Sequence, residues 1–146
     1  MIVNFLFDSL IPQLEKSSFK KLVRNIYKII LKDENLVCGT VNLRFCNDEE
    51  ILKYNKKYLS HDYETDILTF YYGNDVNSID SDILISTDTI KRNSIIYKTS
   101  FENELLRVSI HGMLHLCGYK DSNKQEKMIM RKKENFYLKK LLVNAR

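Results

Sequence analysis

Hydrophobic and polar positions follow two distinct periods along this chain. Ile2–Phe7 (IVNFLF) reads as a first strand, and residues 40–46 set Val41, Leu43 and Phe45 against Asn42 and Arg44, the two-residue period of a half-buried strand. Between them, residues 17–32 place Phe19, Leu22, Val23, Ile26, Tyr27, Ile29 and Ile30 at the 3.6-residue spacing of a helix. Asn47 followed by Glu50 marks a helix start with a capping glutamate and predicts a second helix to about Tyr58. Residues 66–72 (DILTFYY) and 81–87 (SDILIST) predict two strands joined by the polar loop 73–80. A helix over 88–97 follows. Thr99 with Glu102 matches a capping box and opens a long apolar-rich helix over 101–117, which Gly118 is placed to end in a left-handed conformation. A last amphipathic helix covers roughly 123–142. This order predicts an α+β fold, one small mixed sheet of about four strands packed against helices, with residues 1–146 forming a single domain.

Composition narrows the class without changing that picture. At 146 residues, 44% hydrophobic and 29% charged, the chain is large enough to bury a core and has the balance of a soluble globular protein. No apolar run reaches the length of a membrane span, and the opening MIVNFLFDSL lacks a basic n-region and a small-residue cleavage site, so a cytoplasmic protein is expected. Cys38, Cys46 and Cys117 are odd in number and form no CxxC pair, which points to buried free thiols rather than a disulfide framework or a zinc knuckle. The net charge of +4 is unevenly spread: residues 120–146 carry nine Lys/Arg against three Asp/Glu. From Lys57 to Lys91 no Lys or Arg intervenes, while Asp62, Glu64, Asp66, Asp75, Asp80, Asp82 and Asp88 are all acidic. A basic end beside an acidic middle fits a polyanion-facing surface near a cation-attracting one; the plainer reading makes Lys127, Arg131, Lys132 and Lys133 the solvated face of a helix.

The chemistry concentrates in His111-Gly-Met-Leu-His115-Leu-Cys-Gly118-Tyr-Lys-Asp121. Four residues of helix advance about 400°, so His111 and His115 stand one turn apart on one face and can present nitrogens to one ion. A glycine without Cβ lets the chain turn sharply out of the helix, returning Asp121 towards the same ion. Two imidazoles and a carboxylate leave room for water, as a catalytic zinc requires. Cys117 lies about 200° around the helix from His115 and points away. A lone HxxxH is more often two core histidines than a metal site; the helix-ending glycine and the carboxylate beyond it shift the balance towards metal-assisted hydrolysis. Zinc peptidases place a glutamate directly after the first histidine. Here that residue is Gly112, which cannot exchange a proton, although the spacing HxxxHxxGxxD still matches their extended form.

At these residues the chain resembles the YbeY family of metal-dependent endoribonucleases, whose hallmark is close to HGxLHLxGYDH, against HGMLHLCGYKD here, followed by Met128 and Glu134. Upstream, TDILTF (Thr65, Asp66, Ile67, Leu68, Thr69, Phe70) is similar to the family's TDVLSF strand, and DILIS from Asp82 to its GDIxIS strand, with Ser81 in the glycine position. Asn55 and Tyr58 fit the segment ahead of them. The resemblance implies a zinc-dependent, single-strand-selective RNA endonuclease of the cytoplasm with a zincin-like metal-binding helix. It also implies a role in maturing ribosomal RNA, notably that of the small subunit, and in ribosome quality control. The implied ligands are His111, His115 and, where the family has a third histidine, Asp121. A carboxylate there makes bound water less acidic and weakens the preference for zinc over harder ions such as manganese. Where the family carries an arginine, this chain has Leu59; Lys56 or Lys57 supplies positive charge nearby without a bidentate guanidinium.

The expected reaction is therefore phosphodiester hydrolysis assisted by one ion per chain, with Lys124, Lys127 and Arg131 holding the RNA backbone. Tyr119 either stacks on a base or packs over the helix end, and His61 is either a replacement ligand or a solvent and RNA contact. Asp66 is either a general base or a strand-edge carboxylate. Two rival readings stand beside the nuclease: a ribosome-associated RNA-binding assembly factor with a structural metal, and a metallopeptidase.

Overall fold

The structure is a computed structural model that describes residues 1–8, 11, 14–59, 67–72 and 78–144. Along the chain run β1 (Ile2–Phe7), α1 (Lys16–Asp33), β2 (Val37–Cys46), α2 (Asp48–Leu59), β3 (Ile67–Tyr71), β4 (Ser78–Ser86), α3 (Thr87–Ile96), α4 (Phe101–Leu116) and α5 (Lys124–Asn144). The strands form one mixed sheet in the order β1-β2-β4-β3, with β1, β2 and β4 parallel and β3 antiparallel to β4. This is the α+β architecture that the two periods predict.

Period-two alternation sets the layers. Pairing of Val3 with Val41, Phe7 with Phe45, Leu43 with Ile83 and Phe45 with Ile85 puts one apolar row after another on the same face. Against that face α1 buries Phe19, Val23, Ile26 and Ile30, α4 buries Leu105, Ile110, Met113 and Leu114, and α5 adds Met130, Tyr137 and Leu141. The opposite face holds a smaller cluster in which Ile51 of α2 covers Cys46, Leu68 and Leu84. Beyond α2 a hydrogen-bonded row crosses that face: Asn4 donates to Asn42, Asn42 to Asp82, and the Tyr72 hydroxyl to Asp82.

Local details depart from expectation at a few ends. Strand β4 starts at Ser78 instead of residue 81, because pairing of Ser78 and Ile79 with Val37 and Cys38 of β2 extends it ahead of the apolar run. The cap of α4 is Ser100, whose hydroxyl accepts from the Asn103 amide; Thr99 instead gives its N–H to Ser94 and its oxygen to the Asn103 side chain. At the start of α2 the Asn47 side chain accepts from the Glu50 N–H, but the Glu50 carboxylate turns to Arg44 rather than back to the cap. Helix α5 opens on a full reciprocal box: Asn123 accepts from the Glu126 N–H, and Glu126 accepts from the Asn123 N–H. Cys46 is a buried free thiol, as expected, and Cys117 a half-buried one. Among the described residues no helix is long and apolar enough to cross a membrane.

Candidate metal centre

Helix α4 carries both histidines on one face, their ring centroids 4.5 Å apart. The helix closes as a Schellman motif, with the Gly118 N–H bonded to the His115 carbonyl and the Tyr119 N–H to that of Leu114. Gly118 stands at φ +100°, a left-handed conformation that glycine adopts without strain. The chain then reverses, and Asp121, in the connection before α5, comes back over the imidazoles. His111 Nε2 lies 3.3 Å and His115 Nε2 3.5 Å from Asp121 Oδ2.

These separations suit a shared ion. Ligand atoms about 2.0–2.1 Å from a tetrahedral ion stand about 3.3–3.4 Å from one another, and the three donor atoms here lie within 4.8 Å of one another. The far side of each ring is also engaged. His115 Nδ1 donates to the Tyr119 carbonyl at 2.9 Å, which turns Nε2 towards Asp121 as an acceptor. His111 Nδ1 faces Glu134 Oε2 at 3.4 Å. Glu134 is almost completely buried, and its second oxygen meets Arg107, which also pairs with buried Glu104. Burial pushes the Glu134 carboxyl upwards, but the His111 hydrogen bond and the Arg107 charge outweigh it and hold it below the usual range. The donor set thus fits one divalent ion.

Gly112 occupies the position of the peptidase glutamate. A Cβ there would stand 2.7 Å from Ile67 Cδ1 and 3.1 Å from Ile83 Cγ2, so this position faces the sheet and serves the close packing of α4 on β3 and β4.

The remaining sequence expectations separate by element. Lys124, Lys127 and Arg131 are exposed at helical spacing on α5, a short basic stripe. Lys56 and Lys57 are exposed on α2, which packs on the other face of the sheet. Lys133, expected on the solvated face, instead pairs with Glu34 at 3.2 Å and sits 5.3 Å above the Tyr119 ring. The Tyr119 hydroxyl donates to the same Glu34, so this ring packs over the helix end. Of the family-like positions, Asn55 and Glu134 are buried and Met128 is exposed. His61, Thr65 and Asp66 lie outside the described residues, as do the side chains of Tyr58 and Leu59. Sequence reasoning singled out neither Arg107 nor Glu104. Their signal was present: Glu104, Arg107, His111 and His115 follow i, i+3, i+7, i+11, one stripe of α4.

Known proteins resemble this chain along most of its length. Residues 8–142 match the family model described as Endoribonuclease YbeY. A protein of that name from Parabacteroides distasonis is 42% identical over 116 residues, covering 80% of this chain and 81% of its own length. Another, from Karelsulcia muelleri, is 39% identical over 137 residues, 94% of each chain. The solution structure of TM1509 from Thermotoga maritima superposes with a TM-score of 0.65 at 28% identity, covering 99% of this chain and 92% of the other. With a family match spanning nearly its whole length and the HGMLHLCGYKD segment at its centre, this chain belongs to the Endoribonuclease YbeY family.

Proposed function

We propose that residues 1–146 form one metallohydrolase domain, a metal-dependent endoribonuclease that cleaves single-stranded RNA in the maturation of ribosomal RNA, notably that of the small subunit. The observation that carries this reading is the convergence of His111 Nε2, His115 Nε2 and Asp121 Oδ2 in a family of endoribonucleases. His111, His115 and Asp121 are the proposed ligands, and zinc the proposed ion. The Asp121 carboxylate, in place of a third imidazole, makes manganese and other hard divalent ions better competitors. When bound, the ion supplies Lewis-acid polarisation of a phosphoryl oxygen and acidification of water.

The chain's own residues supply orientation and charge. The Tyr119 carbonyl and the Glu134 carboxylate hold the two rings with Nε2 forward. The exposed stripe of Lys124, Lys127 and Arg131 carries the RNA backbone, with Lys56 and Lys57 as contacts outside the stripe. Gly112 offers no proton acceptor, and a longer side chain there would collide with Ile67 and Ile83, which weighs against a peptidase.

The test uses the full chain reconstituted with zinc or manganese, a single-stranded RNA substrate, and His115→Ala and Asp121→Ala beside wild type. Cleavage by wild type, lost with metal occupancy in both variants, is expected. Equal cleavage by all three proteins would indicate a contaminating nuclease and defeat the enzymatic reading. RNA binding without cleavage by fully loaded wild type would leave an assembly factor with a structural metal.

A further inference from the structure

We infer that Glu134 is a positioning residue for the metal centre, fixing the tautomer and orientation of His111, and that Arg107, braced by Glu104, holds the Glu134 carboxylate in place. The inference rests on the reading of His111 as a ligand. An imidazole that offers Nε2 to an ion must carry its proton on Nδ1, and an acceptor at Nδ1 selects that form. Glu134 Oε2 occupies that place, 3.4 Å from Nδ1, on the side of the ring away from Asp121.

Its setting argues for more than a chance ion pair. Glu134 is 2% exposed, in line with the buried Met130, Tyr137 and Leu141 of α5, where a lone carboxylate is costly. Leu or Met would continue that stripe, and a buried ion pair is seldom worth more than such packing. The guanidinium of Arg107 contacts both Glu134 and Glu104, itself 2% exposed. The other Glu134 oxygen faces His111 Nδ1, and an acceptor there raises the ring's strength as a donor to a cation. Because Glu134 is on α5 and His111 on α4, the docking of α5 and the poise of the ligand become one event.

Glu134→Gln preserves size and an acceptor oxygen while removing the charge, and Glu104→Gln makes the same change one residue removed from the ring. Zinc affinity is measured by competition with a chromophoric chelator, and the His111 tautomer by nitrogen NMR on the metal-free full chain carrying Asp121→Ala, which removes the second carboxylate from Nε2. The expectation is a zinc affinity about 10- to 100-fold weaker in Glu134→Gln, a much smaller change in Glu104→Gln, and, in the Asp121→Ala background, an Nδ1–H form of His111 that gives way to mixed tautomers when Glu134→Gln is added. A purely structural ion cluster would lower the melting temperature of both variants alike and leave affinity and tautomer untouched; that outcome overturns the inference. Should wild type bind zinc no better than His111→Ala, the ligand assignment itself fails, and the inference with it.

Discussion

Gly118 stands at φ +100° with nothing within 4 Å of where a Cβ would lie, so replacing it costs backbone strain and no steric clash. Gly118→Ala should therefore lower unfolding free energy by about 1–2 kcal/mol in urea titration, and should loosen metal retention because the same turn delivers Asp121. Ser81 presents the opposite case. Its side chain is 2% exposed and, among the described residues, its hydroxyl has no hydrogen-bond partner. Removing a buried unsatisfied hydroxyl relieves a penalty of about 1 kcal/mol or more, so Ser81→Ala should raise the urea midpoint; a fall would show that the oxygen is satisfied in solution. The histidine pair and its terminating glycine were readable from sequence because they act over one turn of one helix. The Arg107–Glu134 contact was not, since it joins residues 27 apart across two helices and only packing brings them together.

The helices differ in how fully their sequences announce them. In α1 the apolar residues face one way, and prediction and structure agree to within a residue at each end. In α5 exposed Met128, Ile129, Phe136 and Leu142 blur the pattern, while the buried side includes a carboxylate at Glu134. Its outer surface nonetheless carries the consequence for RNA. Neutralising Lys124, Lys127 and Arg131 together to Gln should flatten the dependence of log affinity on log salt by about 2 units, at roughly 0.7 per single-strand phosphate contact. Fluorescence anisotropy of labelled RNA at several salt concentrations reads this directly. An unchanged slope would put the RNA path elsewhere, with the α2 lysines the next to examine.

At the scale of the molecule, the mixed order β1-β2-β4-β3 was beyond sequence reasoning: alternation marks strands and faces, while neighbours are decided by crossings through α1 and α2. One clasp holds several of those parts together. Asp48, first residue of α2, accepts from the hydroxyls of Ser86 and Thr89 and pairs with Arg92, while its own N–H donates to Asp88. Burial pushes the Asp48 carboxyl up, yet the hydrogen bonds from Ser86, Thr89 and Arg92 outweigh it and hold it below the ordinary carboxylate range. A carboxyl depressed in the folded state stabilises above its unfolded value, about 3.9, and that contribution fades as pH falls through the lower, folded one. Wild type should accordingly exceed Asp48→Asn in urea midpoint at neutral pH, with the gap closing below about pH 4. A gap constant down to pH 2 would mean that the carboxylate charge has no part in the clasp.

Tyr119 binds the His115 ring through its carbonyl and the end of α1 through its hydroxyl on Glu34, 85 residues earlier. One residue thus braces an imidazole of the candidate metal centre and anchors itself on the tail of the first helix, so that two segments far apart in the chain share a single support.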